Sequence, residues 1–210
     1  MPADEQAALH SRVLALGCAP LVDAMGRTHP HRAHLPALSS PDPDRVLFGP
    51  VVTVQFLPTR GDVVGAGREF TDVAAEALRG APEGAVLVLS SGGYPDISHA
   101  GGTKLAQAAV EGAAGILCDG LLRDFDELAA LGLPVWCRGE AVRWGGDSVV
   151  PHRANTPVEA FGVTVVPGDW VYADRAGGVV VPAADLVAVV DEAERVVAED
   201  AAALARLPRR

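Results

Sequence analysis

The sequence predicts an α/β domain with a parallel βαβ core, a C-terminal β-rich part and a terminal helix. Three short apolar runs lie at 85–91, 115–120 and 134–139, and helical patterns at 103–113 and 124–131 separate them. Strand-sized runs that alternate with helices are typical of a parallel sheet with right-handed crossovers. The chain that follows changes to β runs separated by turns, which indicates antiparallel strands.

The elements before this core are predicted to be helical and peripheral. Residues 4–17 carry apolar side chains at helical spacing, and 21–26 form a short second helix after Pro20. The stretch from Gly26 to Asp44 is polar and proline-rich, which predicts a long loop. This loop is the best candidate for a mobile or interface segment.

The first core strand and the C-terminal part complete the order of elements. A β-branched apolar run at 46–57 predicts a strand, and an N-capped helical pattern follows at 71–80, where a glycine ends it. Residues 161–186 contain three β-rich runs between PGD and RAGG turns. The helical pattern from Ala183 to Leu207 predicts a terminal helix that seals these antiparallel strands.

Composition and net charge indicate which classes of protein and of binding partner are compatible with the sequence. The chain has 210 residues with 49% hydrophobic and 21% charged content, which is ordinary for one globular domain and excludes disorder as the main state. Its 17 Lys+Arg against 27 Asp+Glu give a net charge of −10. That sign disfavours binding to phosphate backbones or anionic lipid, so nucleic acid and membranes are not expected partners.

Cysteine usage and the N-terminal segment predict a cytoplasmic protein. The three cysteines, Cys18, Cys118 and Cys137, are far apart and form no framework spacing, which suits a reducing compartment. The N-terminal segment is acidic at its start and lacks a basic region followed by an apolar run, and no apolar stretch approaches the ~20 residues of a membrane span.

Two segments at predicted strand ends carry candidate chemistry. Gly101 and Gly102 directly precede the helix that begins near Thr103, so free N–H groups and the helix dipole favour a small carboxylate there. Paired glycines alone are also consistent with a simple tight turn. Further along, Arg123 and Asp124 follow a strand end, where arginine can bind an oxygen anion and aspartate can bind Mg²⁺ or Mn²⁺. In the alternative interpretation, Asp124 only caps the next helix and Arg123 is a solvated charge.

The spacing between these segments is specific. Twenty residues separate Gly102 from Arg123-Asp124, and two more residues separate Asp124 from Glu127. This pattern resembles the G-x20-R-D-x2-E/D motif of the RraA-like family, which includes class II pyruvate aldolases typified by 4-hydroxy-4-methyl-2-oxoglutarate aldolase. Similar blocks run along nearly the whole chain: LVDAMGR (21–27), FGPVVTV (48–54), GILCDGLLRD (115–124), LPVWCRG (133–139) and GVTVVPGDWVYADRAGGVVVP (162–182).

The resemblance implies a swivelling β/β/α fold, assembled as homotrimers or dimers of trimers with sites between subunits. It implies one domain over 1–210, with N-terminal helices and loop (1–45), a β/β/α core (46–182) and a C-terminal helix (183–210). It also implies roles for the site residues. Gly101, Gly102, Thr103 and Lys104 would supply backbone amides to the substrate carboxylate, Arg123 would hold the keto oxygen, and Asp124 would ligate the divalent metal. Glu199 of a neighbouring subunit would complete the water shell of that metal.

Lys104 departs from the family pattern. Many members carry an acidic residue after the loop glycine, as in WGE or WGD, whereas this chain reads GGTK. Lys104 is the only lysine of the chain, and it adds a positive charge near the predicted carboxylate site. It also opens a second mechanism, a Schiff base with the keto group. We favour the metal-stabilised enolate, because Asp124 makes it available without a lysine nucleophile.

The sequence thus predicts a lyase that releases pyruvate from a 4-hydroxy-2-oxo acid or from oxaloacetate. The alternative is a non-enzymatic regulator that binds and inhibits a ribonuclease or another protein, as some family members do. A metal site at His29, His31 and His34 is disfavoured, because histidines in a proline-rich loop are usually exposed. The partial glycine pattern at 63–70 is not followed by a convincing nucleotide-binding βα unit, which disfavours a methyltransferase.

Overall fold

Six α-helices and eleven strands form within residues 3–36, 38–62 and 68–208, which are the residues that the computed structural model describes. The glycine pattern at 63–70 therefore lies mostly outside the described residues. The elements in chain order are α1 (Ala3–Leu16), α2 (Cys18–Thr28), β1 (His34–Leu35), β2 (Leu47–Pro58), α3 (Phe70–Leu78), β3 (Val86–Leu89), β4 (Ser98–Ala100), α4 (Gly102–Val110), β5 (Gly115–Leu122), α5 (Phe125–Ala130), β6 (Val135–Glu140), β7 (Val149–Ala154), β8 (Val158–Ala160), β9 (Val163–Val165), β10 (Trp170–Asp174), β11 (Gly177–Val181) and α6 (Leu186–Ala205).

The centre of the fold is a parallel sheet in the order β2, β3, β5, β6. Residues 51–54 of β2 pair with β3, which pairs in turn with 115–118 of β5, and β6 lies on the far side of β5. Helices α3 and α5 connect β2 to β3 and β5 to β6, and α4 connects β4 to β5. The predicted parallel βαβ core is confirmed.

Strand β2 joins this parallel sheet to an antiparallel one. Its first residues, 47–50, pair with β10, and its last residues, 54–58, pair with β7, so one strand has three partners along its length. Strands β10, β11 and β1 continue the antiparallel part, and β8 with β9 forms a separate hairpin. The predicted β-rich C-terminal part and the terminal helix are confirmed.

Three apolar clusters hold the layers together. Helices α3, α4 and α5 cover one face of the parallel sheet through buried residues such as Phe70, Leu105 and Leu128. The β8–β9 hairpin covers the opposite face, and α1, α2 and α6 pack over β10 and β11. No helix of the described part of the chain is both long and apolar enough to cross a membrane.

Several element boundaries differ from the prediction. Helix α3 begins at Phe70 rather than after Thr71, because Glu69 and Asp72 form a reciprocal capping box at its start. The region predicted as a long loop contains β1 and an antiparallel bridge between Ser39 and Cys137. Before α6, residues 183–185 form a turn of 3₁₀-helix.

Strands β1, β4, β7 and β8 were not predicted, and for β4 and β7 the sequence lacks a signal for a physical reason. Strand β4 has only the three residues SHA, too few to show alternation. Strand β7 contains Pro151, which usually argues against a strand. It is accommodated because the ladder to β2 shifts register between Gln55 and Phe56, and Pro151 lies at that irregularity.

All three thiols lie in the interior. Burial raises the pKa of Cys18 to about 12 and that of Cys137 to about 11, and it raises the pKa of Cys118 well above its ordinary value. We therefore expect no reaction of the native protein with a thiol reagent at pH 8, and full reaction after denaturation.

The same pKa shifts predict a loss of stability in alkali. The unfolded chain releases thiol protons from about pH 8.5 upward, whereas the folded chain keeps them. The free energy of unfolding should therefore fall as the pH rises through 9 and 10, as measured by urea denaturation. A double variant with Cys118→Ala and Cys137→Ala should show a shallower decline; an equally steep one would contradict this explanation.

Candidate functional site

A cavity of about 280 Å³ opens where the first turns of α3 and α4 meet the ends of β2, β4 and β5. This is the edge of the sheet at which ligands bind in α/β folds. Three cationic side chains line the cavity, namely Arg68, Lys104 and Arg123. In a chain with a net charge of −10, such a concentration of positive charge favours an anionic ligand.

One of the backbone amides predicted to bind a carboxylate at the start of α4, that of Gly102, already has a partner within the chain. Gly101 is the N-terminal flanking residue in extended conformation, and the N–H of Gly102 donates to Asp124 Oδ2 at 3.1 Å. The N–H groups of Thr103 and Lys104 lie in the first helical turn, where the helix offers no acceptor. These two amides and the positive end of the helix dipole are the features of a helix start that can bind an anion.

The sequence spacing from the glycine pair to Arg123 reflects a close contact between the start of α4 and the segment that follows β5. A Cβ added to Gly101 would lie 2.8 Å from Arg123 Cγ and 2.9 Å from Arg123 Nε. A Cβ added to Gly102 would lie 2.9 Å from both Cβ and Cδ of Glu127. Both distances are shorter than a methyl group tolerates. The motif therefore describes one contact, in which two glycines admit the Arg-Asp pair and Glu127 against the backbone of α4.

Asp124 has an unusual backbone that sets the direction of its side chain. Its φ of 65° and ψ of 45° place it in the left-handed region, and it makes no capping bond within α5. Asp124 thus occupies the N-cap position of α5, but its side chain does not cap the helix. Its Oδ2 accepts from Gly102 instead and lies 3.6 Å from Arg123 Nε, with the two side chains 39% and 43% exposed. Residues in such sparsely populated conformations cluster at functional sites.

Lys104 lies at the same cavity but differs from the other two cations in its partners. Arg68 pairs with Glu76, and Arg123 is close to Asp124, whereas Lys104 takes part in no ion pair within the described residues. Its ammonium lies over the Phe70 ring, 5.8 Å from the centroid.

The sequence analysis missed His99, which forms part of the cavity wall. It is 5% exposed, with Nδ1 3.1 Å from the Ile97 carbonyl and Nε2 3.0 Å from the Ser91 carbonyl. Burial lowers the pKa of His99, against the smaller opposing effects of the two carbonyls and Asp119. Because the ring also packs on the backbone of Gly120, His99 fixes the wall of the cavity. Its only sequence signal was its position two residues before the glycine pair.

Asp119 lies on β5, the strand that leads to Arg123, but it belongs to the core. It is 1% exposed and accepts two hydrogen bonds from Arg138, at 2.9 and 2.6 Å. The Arg138 guanidinium also stacks on Phe161, 4.7 Å from the ring centroid. A buried charge needs such a partner, so this pair stabilises the hairpin side of the sheet and does not line the cavity.

Glu199 and the three loop histidines lie away from the cavity within one chain. Glu199 is on α6 and pairs with Arg27 at 2.9 Å, so any contribution to a site in a neighbouring subunit stays a prediction. His29 lies 3.3 Å from Asp185, and its ring contacts that of His31. Within the described ranges, no three His, Cys, Asp or Glu side chains converge as metal ligands.

The donor set at Asp124 nevertheless fits a Mg²⁺-type cation. No described residue donates to Oδ1 of Asp124, and the carboxylate is accessible from solvent. Mg²⁺ commonly binds through one or two carboxylates and takes water and substrate oxygens as its remaining ligands. A single carboxylate oxygen without a hydrogen-bond donor among the described residues, next to a helix N-terminus, meets this requirement. A closed structural metal site would need several protein ligands, which Asp124 alone does not supply.

Comparison with known proteins gives three related findings. The family model described as RraA-like, aldolase/RraA, matches residues 18–181. A protein of Albidiferax ferrireducens, provisionally named a 4-hydroxy-4-methyl-2-oxoglutarate aldolase, is 35% identical over 143 residues, which are 63% of this chain and 75% of the relative. One of Halalkalibacterium halodurans with the same provisional name is 29% identical over 156 residues, 71% of this chain and 74% of that one.

A solved structure matches the whole fold. Streptomyces coelicolor RraAS2, described as an unusual member of the RNase ES inhibitor RraA protein family, superposes with a TM-score of 0.80. It is 29% identical, and the match covers 99% of this chain and 100% of that one.

Proposed function

Because the chain belongs to the RraA-like family, we propose that it is a lyase that releases pyruvate from a 4-hydroxy-2-oxo acid, or from oxaloacetate by decarboxylation. The observation that carries the proposal is the Arg123-Asp124 pair held against the start of α4 by the Gly102 amide. Arg123 and the start of α4 line one cavity, and Asp124 lies next to both, bonded to the Gly102 amide.

In this proposal each site residue has a distinct role in binding the substrate or stabilising the enolate. The amides of Thr103 and Lys104 bind the substrate carboxylate, and the guanidinium of Arg123 donates to the keto oxygen. Asp124 would hold Mg²⁺ or Mn²⁺, which supplies Lewis-acid stabilisation of the pyruvate enolate when bound. Arg123 adds a second positive charge at the oxygen where negative charge develops, and the α4 dipole acts in the same direction.

We further propose that Glu199 reaches the site from a neighbouring copy in a homotrimer or a dimer of trimers. Two features support this proposal. Residues 197–208 at the end of α6 are exposed along their whole length in one chain, and Glu199 lies among them. Its salt bridge to Arg27 orients the carboxylate at the surface. Cross-complementation of a Glu199→Gln chain by an Asp124→Asn chain would restore activity in mixed oligomers if the site is shared.

The direct test is pyruvate release from 4-hydroxy-4-methyl-2-oxoglutarate and from oxaloacetate, with Mg²⁺ or Mn²⁺ present and a lactate dehydrogenase assay for the product. We expect turnover above the metal-only background, its loss on chelation with EDTA, and its return when Mg²⁺ is added. Full activity after exhaustive chelation would exclude the metal role. A covalent adduct at Lys104 after borohydride treatment with pyruvate would show that the reaction proceeds through a Schiff base instead of a metal-stabilised enolate.

A second candidate function is supported by the full-length likeness to RraAS2. A regulator of this kind would bind a ribonuclease through its surface and would not need Arg123 or Asp124. The two functions are distinguished by adding the wild-type chain and the Asp124→Asn variant to a ribonuclease E-type enzyme. Equal inhibition by both, without pyruvate release by the wild type, would favour the regulator.

A further inference from the structure

One buried titratable group in the cavity wall has no role in the proposed reaction. His99, on β4, is 5% exposed and borders the cavity. Its ring nitrogens both face carbonyl oxygens, Nδ1 that of Ile97 at 3.1 Å and Nε2 that of Ser91 at 3.0 Å. A carbonyl oxygen accepts hydrogen bonds and cannot donate one, so each position requires an N–H group.

A neutral imidazole cannot fill both positions. It carries a single N–H, so the lone pair of its other nitrogen faces a carbonyl oxygen at hydrogen-bond distance. The imidazolium carries an N–H at each nitrogen and donates to both carbonyls. The geometry around His99 is therefore satisfied completely by the protonated ring and only in part by the neutral one.

Neighbouring contacts hold the ring in this orientation. Phe56 meets it edge to face, with 4.9 Å between the ring centroids, and a Cβ added to Gly120 would overlap it. Each of the two carbonyls also accepts a backbone N–H, from Tyr94 and from Leu121, which fixes the acceptors. None of these contacts is charged. The ring can thus gain or lose a proton without a change of orientation.

The positive charges of the cavity disfavour that proton as long as no anion is bound. Burial lowers the pKa of His99. Arg68, Lys104 and Arg123 line the same cavity, and they would repel a fourth positive charge in its wall. We therefore expect His99 to be neutral at pH 7 in the protein without ligand.

The acidic groups around the ring already have partners. Asp119, on β5, favours a charged His99, but its carboxylate accepts two hydrogen bonds from Arg138. Glu69 lines the cavity and accepts a backbone amide in the capping box of α3. Asp96, in the segment before β4, is in an ion pair at the surface. None of these three carboxylates is available to neutralise a charged His99.

A bound anion reverses this balance. The cavity of about 280 Å³ has the volume of a sphere roughly 8 Å across, so a carboxylate inside it lies within about one Debye length of His99. Its negative charge offsets the repulsion from the three cations and favours the imidazolium. The second carbonyl is already in place to accept the new N–H.

We propose, resting on the anionic substrate of the lyase function above, that His99 takes up one proton from solvent when a 2-oxo acid binds in the cavity and returns it when the ligand leaves. The proton completes the second hydrogen bond of the ring and adds a fourth positive charge to the cavity wall. His99 is a positioning residue in this role, because both nitrogens are directed at carbonyls of the chain. The coupling is reciprocal, so the ligand binds more tightly as the pH falls.

The first test is isothermal titration calorimetry of pyruvate with Mg²⁺ present. Comparing MES with Bis-Tris at pH 6, two buffers of different ionisation enthalpy, gives the number of protons taken up on binding. We expect a net uptake, and about tenfold tighter binding at pH 5.5 than at pH 8, where His99 stays neutral with and without ligand. An affinity that is independent of pH, with no net uptake, would overturn the proposal.

Variants assign the proton to His99. His99→Gln keeps an amide that can donate to one carbonyl but does not titrate, so it should bind pyruvate without proton uptake and with the same affinity at both pH values. His152→Gln is the matched control, because His152 is a partly buried histidine of β7 whose side chain does not line the cavity. It should keep the uptake. Uptake that persists in His99→Gln would assign the proton to another group and contradict the proposal.

A second measurement leaves His99 intact. The five other histidines are at least partly exposed, and replacing them by glutamine leaves His99 as the only imidazole, whose Cε1–H NMR signal reports its protonation; these are His10, His29, His31, His34 and His152. Pyruvate should move the titration midpoint of this signal to higher pH. An unmoved midpoint would overturn the proposal even if the His99→Gln chain does not fold.

The outcomes separate this inference from the proposed function. Proton uptake at His99 without pyruvate release from any 4-hydroxy-2-oxo acid or oxaloacetate would remove the lyase function and leave the coupling. Pyruvate release with no proton uptake at His99 would do the reverse. Absence of pyruvate binding at both pH values would overturn the coupling, whatever the activity assay shows.

Discussion

Replacing Asp124 by asparagine is expected to reduce pyruvate release by about 10³-fold while the protein stays folded. Asparagine tolerates the left-handed backbone of this position, and its side-chain oxygen can still accept from the Gly102 amide. Only the negative charge is removed, and with it the ligand for a divalent cation. The variant therefore isolates the electrostatic role of Asp124 from its role in packing.

The measurements are kcat/KM for pyruvate release and the midpoint of thermal unfolding. Asp126→Asn is the matched control, because Asp126 is an exposed residue in the first turn of α5 and should change neither quantity appreciably. Asp124→Ala should lose the same activity and, in addition, about 1 kcal/mol of stability through strain in the left-handed region. Normal activity in Asp124→Asn would rule out Asp124 as the metal ligand.

Replacing Gly102 by alanine is expected to lower activity by about 10²-fold and to destabilise the protein by roughly 1–3 kcal/mol. The new Cβ would overlap Glu127, so the first turn of α5 must move away from α4. That movement displaces Asp124 and Arg123, which directly precede α5. The glycine thus influences activity through the position of the Arg-Asp pair.

A double-mutant cycle tests this explanation. Glu127→Ala removes the Cδ that the new methyl group would meet, so the double variant should regain part of the lost stability and activity. The matched control is Gly26→Ala: Gly26 lies in α2 with no atom within 4 Å of an added Cβ, and the change should stabilise by about 0.5–1 kcal/mol. Strictly additive effects of Gly102→Ala and Glu127→Ala would show that the contact is not the cause.

The parts of the fold with regular periodicity could be predicted from the sequence, and the parts that depend on tertiary contact could not. Strand β3 and the first residues of β5 and β6 are continuous apolar runs because both faces of the sheet are covered there, and such runs can be recognised in the sequence. Strand β7 is not, because Pro151 is acceptable only at the irregularity in its pairing with β2. The first residue of α3 was also not predictable. A capping box of two acidic residues, Glu69 and Asp72, starts the helix at Phe70, whereas the sequence had suggested Thr71 as the capping residue.

The same distinction applies to the candidate site. The spacing from Gly102 to Arg123 and Asp124 could be read directly, since it follows from one close contact between α4 and the end of β5. The direction of the Asp124 side chain could not, because it depends on a left-handed backbone that no neighbouring residue signals. His99 and Trp144 reach the cavity through β4 and an irregular segment, whose courses follow from contacts distant in sequence.

The three partners of β2 have a consequence for the folding of the chain during its synthesis on the ribosome. When β2 leaves the exit tunnel, β3 soon follows, but the strands that cover its two ends, β7 and β10, are synthesised roughly 100 and 120 residues later. Until then, a twelve-residue, mostly apolar strand keeps open hydrogen-bonding edges at both ends. Contacts of such long range also slow the final collapse. We therefore expect the nascent chain to be most prone to self-association between the emergence of β3 and that of β10.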